Sequence, residues 1–203
     1  MTKGNARMHD TGPLHRTVAF TAMKDGTRED YALLHEKEGG FARGQADRVL
    51  DALRQLESSY GGYKVSRLTH SLQSATRAER DGVDDELVLA ALLHDIGDVL
   101  APQNHSEVAT AILRPFVRPE VTWIVEKHGL FQLYYYGHHV GLDQSAREVL
   151  RGHKWFDACA DFCERWDQSC FDPDYPTRPL EHFAPLVRAV LGRPARDPQF
   201  VKA

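Results

Sequence analysis

Seven consecutive apolar residues, Leu87 to Leu93, run straight into His94-Asp95. A helix that is apolar on every side belongs at the centre of a core. A carboxylate carried to the end of it loses its hydration, at a cost of several kcal/mol, unless something compensates. Two readings are open for the dipeptide alone. The pair can cap the helix C-terminus and meet solvent. Alternatively, it can hold a polyvalent cation, with the carboxylate bridging two ions while the adjacent imidazole ligates one of them.

The dipeptide is not isolated, because eleven histidines occur in 203 residues. His70 lies in mid-helix where Leu68, Leu72 and Ala75 mark the buried face, 24 residues before His94. His105 opens the next capped helix, His128 ends the one after it, and Asp167 lies in Arg165-Trp166-Asp167-Gln168. Four helices of an antiparallel bundle can aim such groups at one centre. The set would be His70, His94, Asp95, His105, His128 and Asp167. Four imidazoles and two carboxylates without a soft sulfur ligand suit iron, manganese or zinc.

The rest of the chain reads as helical. A mass of 23.0 kDa allows one domain with a proper core. Thr27 with Asp30 caps a helix from Arg28 to Lys37 that Gly39-Gly40 stops, and a second apolar stripe runs from Phe41 to Leu56. Ser58 to Lys64 is a loop. Helices follow over Ser66 to Arg80, from the Asp84 cap to His94, from an Asn104/Glu107 capping box to Phe116, and from Pro119 to His128. Others are placed at 143–150, 153–167 and 179–191. Strand signals are nearly absent, so the fold class is all-α. Residues 1–27 read as an irregular arm with a turn at Asp25-Gly26, 28–193 as the domain, and 194–203 as a loose polar tail.

Charge and composition exclude other classes. With 25 basic and 29 acidic side chains the formal charge is −4, which argues against a polybasic nucleic-acid or membrane-surface binder. The longest apolar run falls far short of the roughly 20 residues a membrane span needs, and the N-terminus carries no secretory signal. Three clustered cysteines, Cys159, Cys163 and Cys170, make no disulfide framework, and a cytoplasmic location is expected. Cys159 and Cys163 read as a buried helix face rather than a metal pair. His9, His15, His35 and His182 join no cluster and read as surface residues. Tyr134-Tyr135-Tyr136, followed by His138-His139, reads as ordinary aromatics around a helix break, or as a wall for a quaternary ammonium group. Arg151 and His153 are candidates for binding an anionic substrate group.

With Leu68-Thr69-His70-Ser71-Leu72-Gln73, Leu92-Leu93-His94-Asp95-Ile96-Gly97, the two single histidines and Trp166-Asp167, the chain resembles the HD-domain superfamily over about residues 56–170. It is similar to the dinuclear variety, and within that to the mixed-valent di-iron oxygenases that cleave organophosphonates and to the related inositol oxygenases. The resemblance implies an all-α HD-domain helical bundle holding two irons, Fe(II)/Fe(III), with no organic cofactor. One iron would take His70, His94, Asp95 and Asp167, and the other Asp95, His105 and His128. It further implies an enzyme that uses O2 to cleave a small polar hydroxylated substrate, best a 1-hydroxy-alkylphosphonate. No nucleic acid or membrane partner is expected, and the oligomeric state is open. Tyr60 matches a loop tyrosine that guards the substrate-binding iron. The chain departs from the family in having Tyr63 where an acidic partner is expected, and Asp98 and Gln132 at two phosphonate-contact positions. Asp98 and Gln132 therefore join Tyr60 as substrate-site candidates. The alternative activity is a metal-dependent HD phosphohydrolase acting on a nucleotide or other phosphate ester, with Asp98 as its base.

Overall fold

The computed structural model describes residues 16–196, which divide into two compact units between Gly44 and Gln45. Among the described residues there are eight α-helices, several short 3₁₀ turns and no strand. None of these helices is long and apolar enough to cross a membrane. His9 and His15 lie outside the described residues.

In the first unit a 3₁₀ turn over Met23–Asp25 leads into α1, Arg28–Arg43. The Thr27 hydroxyl accepts from the Asp30 amide, and the Asp30 carboxylate accepts from the Thr27 amide, completing the expected capping box. Phe20 stacks on Tyr31, whose hydroxyl donates to the Met23 carbonyl. The helix does not stop at Gly39-Gly40 but continues to Arg43. Glycine weakens a helix by about 1 kcal/mol relative to alanine yet keeps its N–H, so the ladder can pass through it. Phe41 accordingly belongs to α1, not to the stripe of the next helix.

The second unit opens with α2, Gln45–Gln55, which buries Ala46, Val49, Leu50 and Leu53 along one face. The loop ahead of α3, Arg67–Arg80, ends at Ser66, whose hydroxyl accepts from the Thr69 amide. Gly82, at φ +72°, makes the turn into α4, Asp85–Leu93. Asp84 caps α4 by accepting from the amides of Glu86 and Leu87. Val88 to Leu93 are buried, so α4 is the central helix its composition predicts. A 3₁₀ turn, Ile96–Val99, carries the chain out of the core.

The helix α5, His105–Leu113, starts without the expected Asn104 cap: that side chain donates to the Glu107 carboxylate, and a 3₁₀ turn, Pro102–Asn104, feeds the helix instead. The next helix, α6, is Pro119–Tyr136 and runs eight residues beyond its expected end at His128. With no proline to interrupt its amides, it carries Phe131 into the core. The helix expected at 143–150 is a 3₁₀ turn, Ala146–Leu150. The remaining helices are α7, Phe156–Trp166, and α8, Leu180–Leu191. The C-terminal segment is held as far as Arg196, which donates to the carbonyls of Pro115 and Phe116 and, with Arg193, pairs with the buried Glu86.

Asp81 ties two helices together where the site will lie. Its carboxylate accepts from Trp166 Nε1 at 2.6 Å and from Arg165 at 2.8 Å, pinning the end of α7 to the end of α3. Leu89 is fully buried and Val149 is 83% exposed. Leu89→Ala is therefore expected to lower stability by about 2–5 kcal/mol, whereas Val149→Ala should stay within about 0.5 kcal/mol. Urea unfolding checks both.

Candidate metal centre

The six candidate ligands come from five places along the second unit. His70 projects from the middle of α3, His94 closes α4, and Asp95 follows it. His105 opens α5, His128 lies within α6 and Asp167 follows α7. All but His105 are buried, and its side chain is 23% exposed.

The imidazoles are oriented in one way. Nδ1 of His70 donates to the Cys170 carbonyl (3.1 Å), that of His94 to Ala91 (2.8 Å), that of His105 to Pro102 (3.1 Å) and that of His128 to Val125 (2.6 Å). A carbonyl can only accept, so the proton sits on Nδ1 and every Nε2 is left as a donor atom for a metal, the arrangement metal-binding histidines adopt. The four Nε2 atoms then meet in pairs, His70 with His94 at 3.1 Å and His105 with His128 at 3.3 Å.

Asp95 lies between the pairs. Its Oδ2 is 3.2 Å from Nε2 of both His70 and His94, and its Oδ1 is 3.3 Å from His105 and 3.4 Å from His128. Asp167 Oδ1 faces the first pair at 3.5 and 3.6 Å. Neither Asp95 Oδ1 nor Asp167 Oδ1 has a hydrogen-bond partner among the described residues. Lone pairs converging this closely repel unless a cation lies between them. Donor atoms about 2.1 Å from a common ion, at angles of about 90–110°, are themselves about 3.0–3.4 Å apart. The spacing therefore fits a metal ion on each side of Asp95, and nitrogen and carboxylate donors suit first-row transition metals.

Without metal, protons must do this work. Burial alone would lower the pKa of His94, but the Asp95 and Asp167 carboxylates outweigh it and raise it to about 10. Burial also opposes protonation of His70, whose pKa the same two carboxylates raise. Asp95 and Asp167 are held below the usual carboxylate range: burial would raise them, and the facing His94 overrides it.

The residue that sequence reasoning missed is Arg67. Buried at the start of α3, it donates from Nε to Asp98 Oδ2 at 3.0 Å and from its terminal nitrogen to Asp95 Oδ2. Its signal was a cation in the first turn of a helix, where the dipole disfavours it, one turn before His70. A cavity of about 350 Å3 opens beside these groups, with Asp95, His105 and Asp167 on its floor and Tyr60, Arg67 and Gln132 on its wall. Tyr63, Tyr135, Tyr136 and Phe171 complete an aromatic lining. Tyr60 donates to Asp98 Oδ2 at 3.2 Å, and burial raises its pKa, which keeps it a phenol.

Of the substrate-site candidates, Tyr60 and Gln132 line the cavity. Asp98 is buried behind it, engaged by Arg67 and Tyr60. Arg151 and His153, the other two candidates, do not line it. Arg151 pairs with Glu148 and lies over the Phe156 ring, while His153 stacks on Trp123 at 4.1 Å. Surface pairing and stacking satisfy both without a ligand. Tyr134 packs under Arg147, whereas Tyr135 and Tyr136 reach the cavity because α6 continues through them. Cys159, Cys163 and Cys170 are buried free thiols, and His35 and His182 are exposed.

The fold and this cluster define a helical domain of the histidine–aspartate type, and an HD domain family model matches residues 67–151. Over those residues, less than half of its length, the chain is similar to the HD domain. It is also 33% identical over 86 residues to [1-hydroxy-2-(trimethylamino)ethyl]phosphonate dioxygenase (glycine-betaine-forming) from Leisingera caerulea. That alignment covers 37% of this chain and 44% of the relative's length.

Two expectations follow. A folded-state His94 pKa of about 10 stabilises the metal-free fold fully below pH about 6.5, and that stabilisation is lost as pH rises toward 10. In chelator the melting temperature should thus fall across that window. With metal bound it should rise with pH through the lower part of the window, because protons compete for the same nitrogens. A thermal melt series with and without chelator tests this. Separately, a Cβ on Gly97 would overlap the His105 backbone, so Gly97→Ala must shift His105. Metal affinity on the His105/His128 side should drop on the order of tenfold or more, read by metal titration.

Proposed function

We propose that this chain is a di-iron HD-domain oxygenase that cleaves a small 1-hydroxy-alkylphosphonate with O2. The observation that carries the reading is the division of Asp95, one oxygen to each pair of imidazole nitrogens, beside a cavity that reaches the His105 side. His70, His94, Asp95 and Asp167 would hold one iron; Asp95, His105 and His128 would hold the second. The second set has fewer protein donors and a partly exposed histidine, which leaves room for substrate oxygens. As an Fe(II)/Fe(III) pair the centre supplies the one-electron chemistry that O2 activation requires.

The chain's own residues bind, orient and shield. The Arg67 guanidinium holds Asp95 and Asp98 in place and neutralises charge that would otherwise be buried unpaired. Tyr60, on the cavity wall, guards the second site until substrate arrives. The rings of Tyr63, Tyr135, Tyr136 and Phe171 exclude water and suit an N-alkylated ammonium group on the substrate. Such a group is present in the substrate named for the Leisingera caerulea relative. The overall change converts R–CH(OH)–phosphonate and one O2 into a carboxylate and inorganic phosphate. The phosphohydrolase alternative needs a free base at Asp98, and the bonds that Asp98 accepts from Arg67 and Tyr60 disfavour that role.

Anaerobic purification with metal analysis, followed by hydroxyphosphonate addition, tests the reading. Two irons per chain, an EPR signal of a mixed-valent pair, and equal O2 uptake and phosphate release are expected. Hydrolysis of nucleotide phosphates with Mn(II), indifferent to O2, would replace it with the phosphohydrolase. Tyr60→Phe should accelerate oxidation of the iron pair without substrate by severalfold, measured as decay of the EPR signal in air.

A further inference from the structure

The segment from Asp167 to Asp172 joins α7 to the loop before α8 and touches the metal centre in three ways. Asp167 Oδ1 faces Nε2 of His70 and His94. The Cys170 carbonyl accepts from His70 Nδ1 at 3.1 Å. The Phe171 ring is stacked between His70 (4.5 Å) and Tyr63 (4.6 Å), nearly parallel to both. This segment has no helical ladder of its own, so something else must hold it.

Two glutamine amides clamp its ends. Gln132, one turn beyond His128 on α6, donates from Nε2 to Asp167 Oδ2 at 2.7 Å. Gln73, one turn beyond His70 on α3 and fully buried, donates from Nε2 to the Asp172 carbonyl at 2.6 Å. Arg77 adds a bond to the Ser169 carbonyl at 3.1 Å. By occupying Oδ2, the Gln132 amide turns the other Asp167 oxygen, which has no hydrogen-bond partner, toward His70 and His94. The Gln73 bond keeps Cys170 and Phe171 against the His70 ring.

We propose that Gln73 and Gln132 are positioning residues that fix the Asp167–Asp172 segment, and through it the orientation of Asp167 and His70. This moves Gln132 from the substrate contacts, where its place in the family pattern had put it, to the support of a ligand. It also explains why a neutral amide stands at each position: an acid would repel Asp167 or the Asp172 carbonyl, while an apolar chain would leave them unsatisfied. The inference rests on the metal-centre reading, and on neither the oxygenase nor the hydrolase chemistry.

Titration of chelator-stripped protein with Co(II) tests it, with the thermal midpoint of the stripped protein as a second readout. The wild-type chain should bind two ions. Gln132→Leu should weaken one of them by roughly 10- to 100-fold, the range seen when partners of metal ligands are removed. Gln132→Lys, which keeps an N–H donor, should restore much of that loss, and Gln73→Leu should weaken the same ion. Equal weakening in the leucine and lysine variants, or wild-type binding in Gln132→Leu, overturns the inference and leaves the metal-centre reading intact. Failure of the wild-type chain to bind a pair of ions overturns both. Should Gln73→Leu not fold, the two Gln132 variants decide the matter alone.

Discussion

Burying the Asp95 carboxylate constrains the rest of the second unit. A negative charge with no exposure to solvent demands positive charge from several directions. It receives the Arg67 guanidinium on Oδ2 and the Nε2 atoms of four histidines around both oxygens. The histidines are turned outward from their own backbones by carbonyl acceptors on Nδ1, so their second nitrogens can only aim inward. A core assembled this way is complete only with cations in it, either protons on the imidazoles or metal ions between them.

The helices follow from that requirement. The α4 helix must be apolar all round because the chain has to travel through the core to deliver His94-Asp95 to its centre. Gly97 lies immediately beyond because the backbone of His105 passes too close to admit a Cβ. The Asp81 carboxylate, bonded to Trp166 and Arg165, brings the end of α7 beside α3 and thereby sets where Asp167 emerges. The aromatic cavity and the metal ligands are thus two faces of one packing arrangement, with Phe171 touching both.

Legibility in the sequence varied with how local each feature was. The caps at Thr27 and Asp84 are decided within one turn by neighbouring residues, and they could be read directly. The helix end expected at Gly39-Gly40 is passed through, because glycine weakens a helix without breaking its hydrogen bonds, and α6 likewise continues beyond His128. The Asn104 cap failed for another reason: the side chain had a competing acceptor in Glu107. Arg151 and His153 have the right chemistry for an anion site, but nothing in their local pattern says which surface they face.

The order of residues by itself determined that the chain is helical, that its most apolar helix ends in His-Asp, and that further histidines and a late aspartate recur on neighbouring helices. These are properties of periodicity and spacing, written within stretches of a few turns. Only the tertiary structure decided that each Asp95 oxygen faces a different histidine pair, that Arg67 joins them, and that Gln73 and Gln132 hold the Asp167–Asp172 segment. The arginine and glutamine bonds join residues about 30 to 100 positions apart, and their distances are set by how whole helices pack rather than by any pattern along the chain.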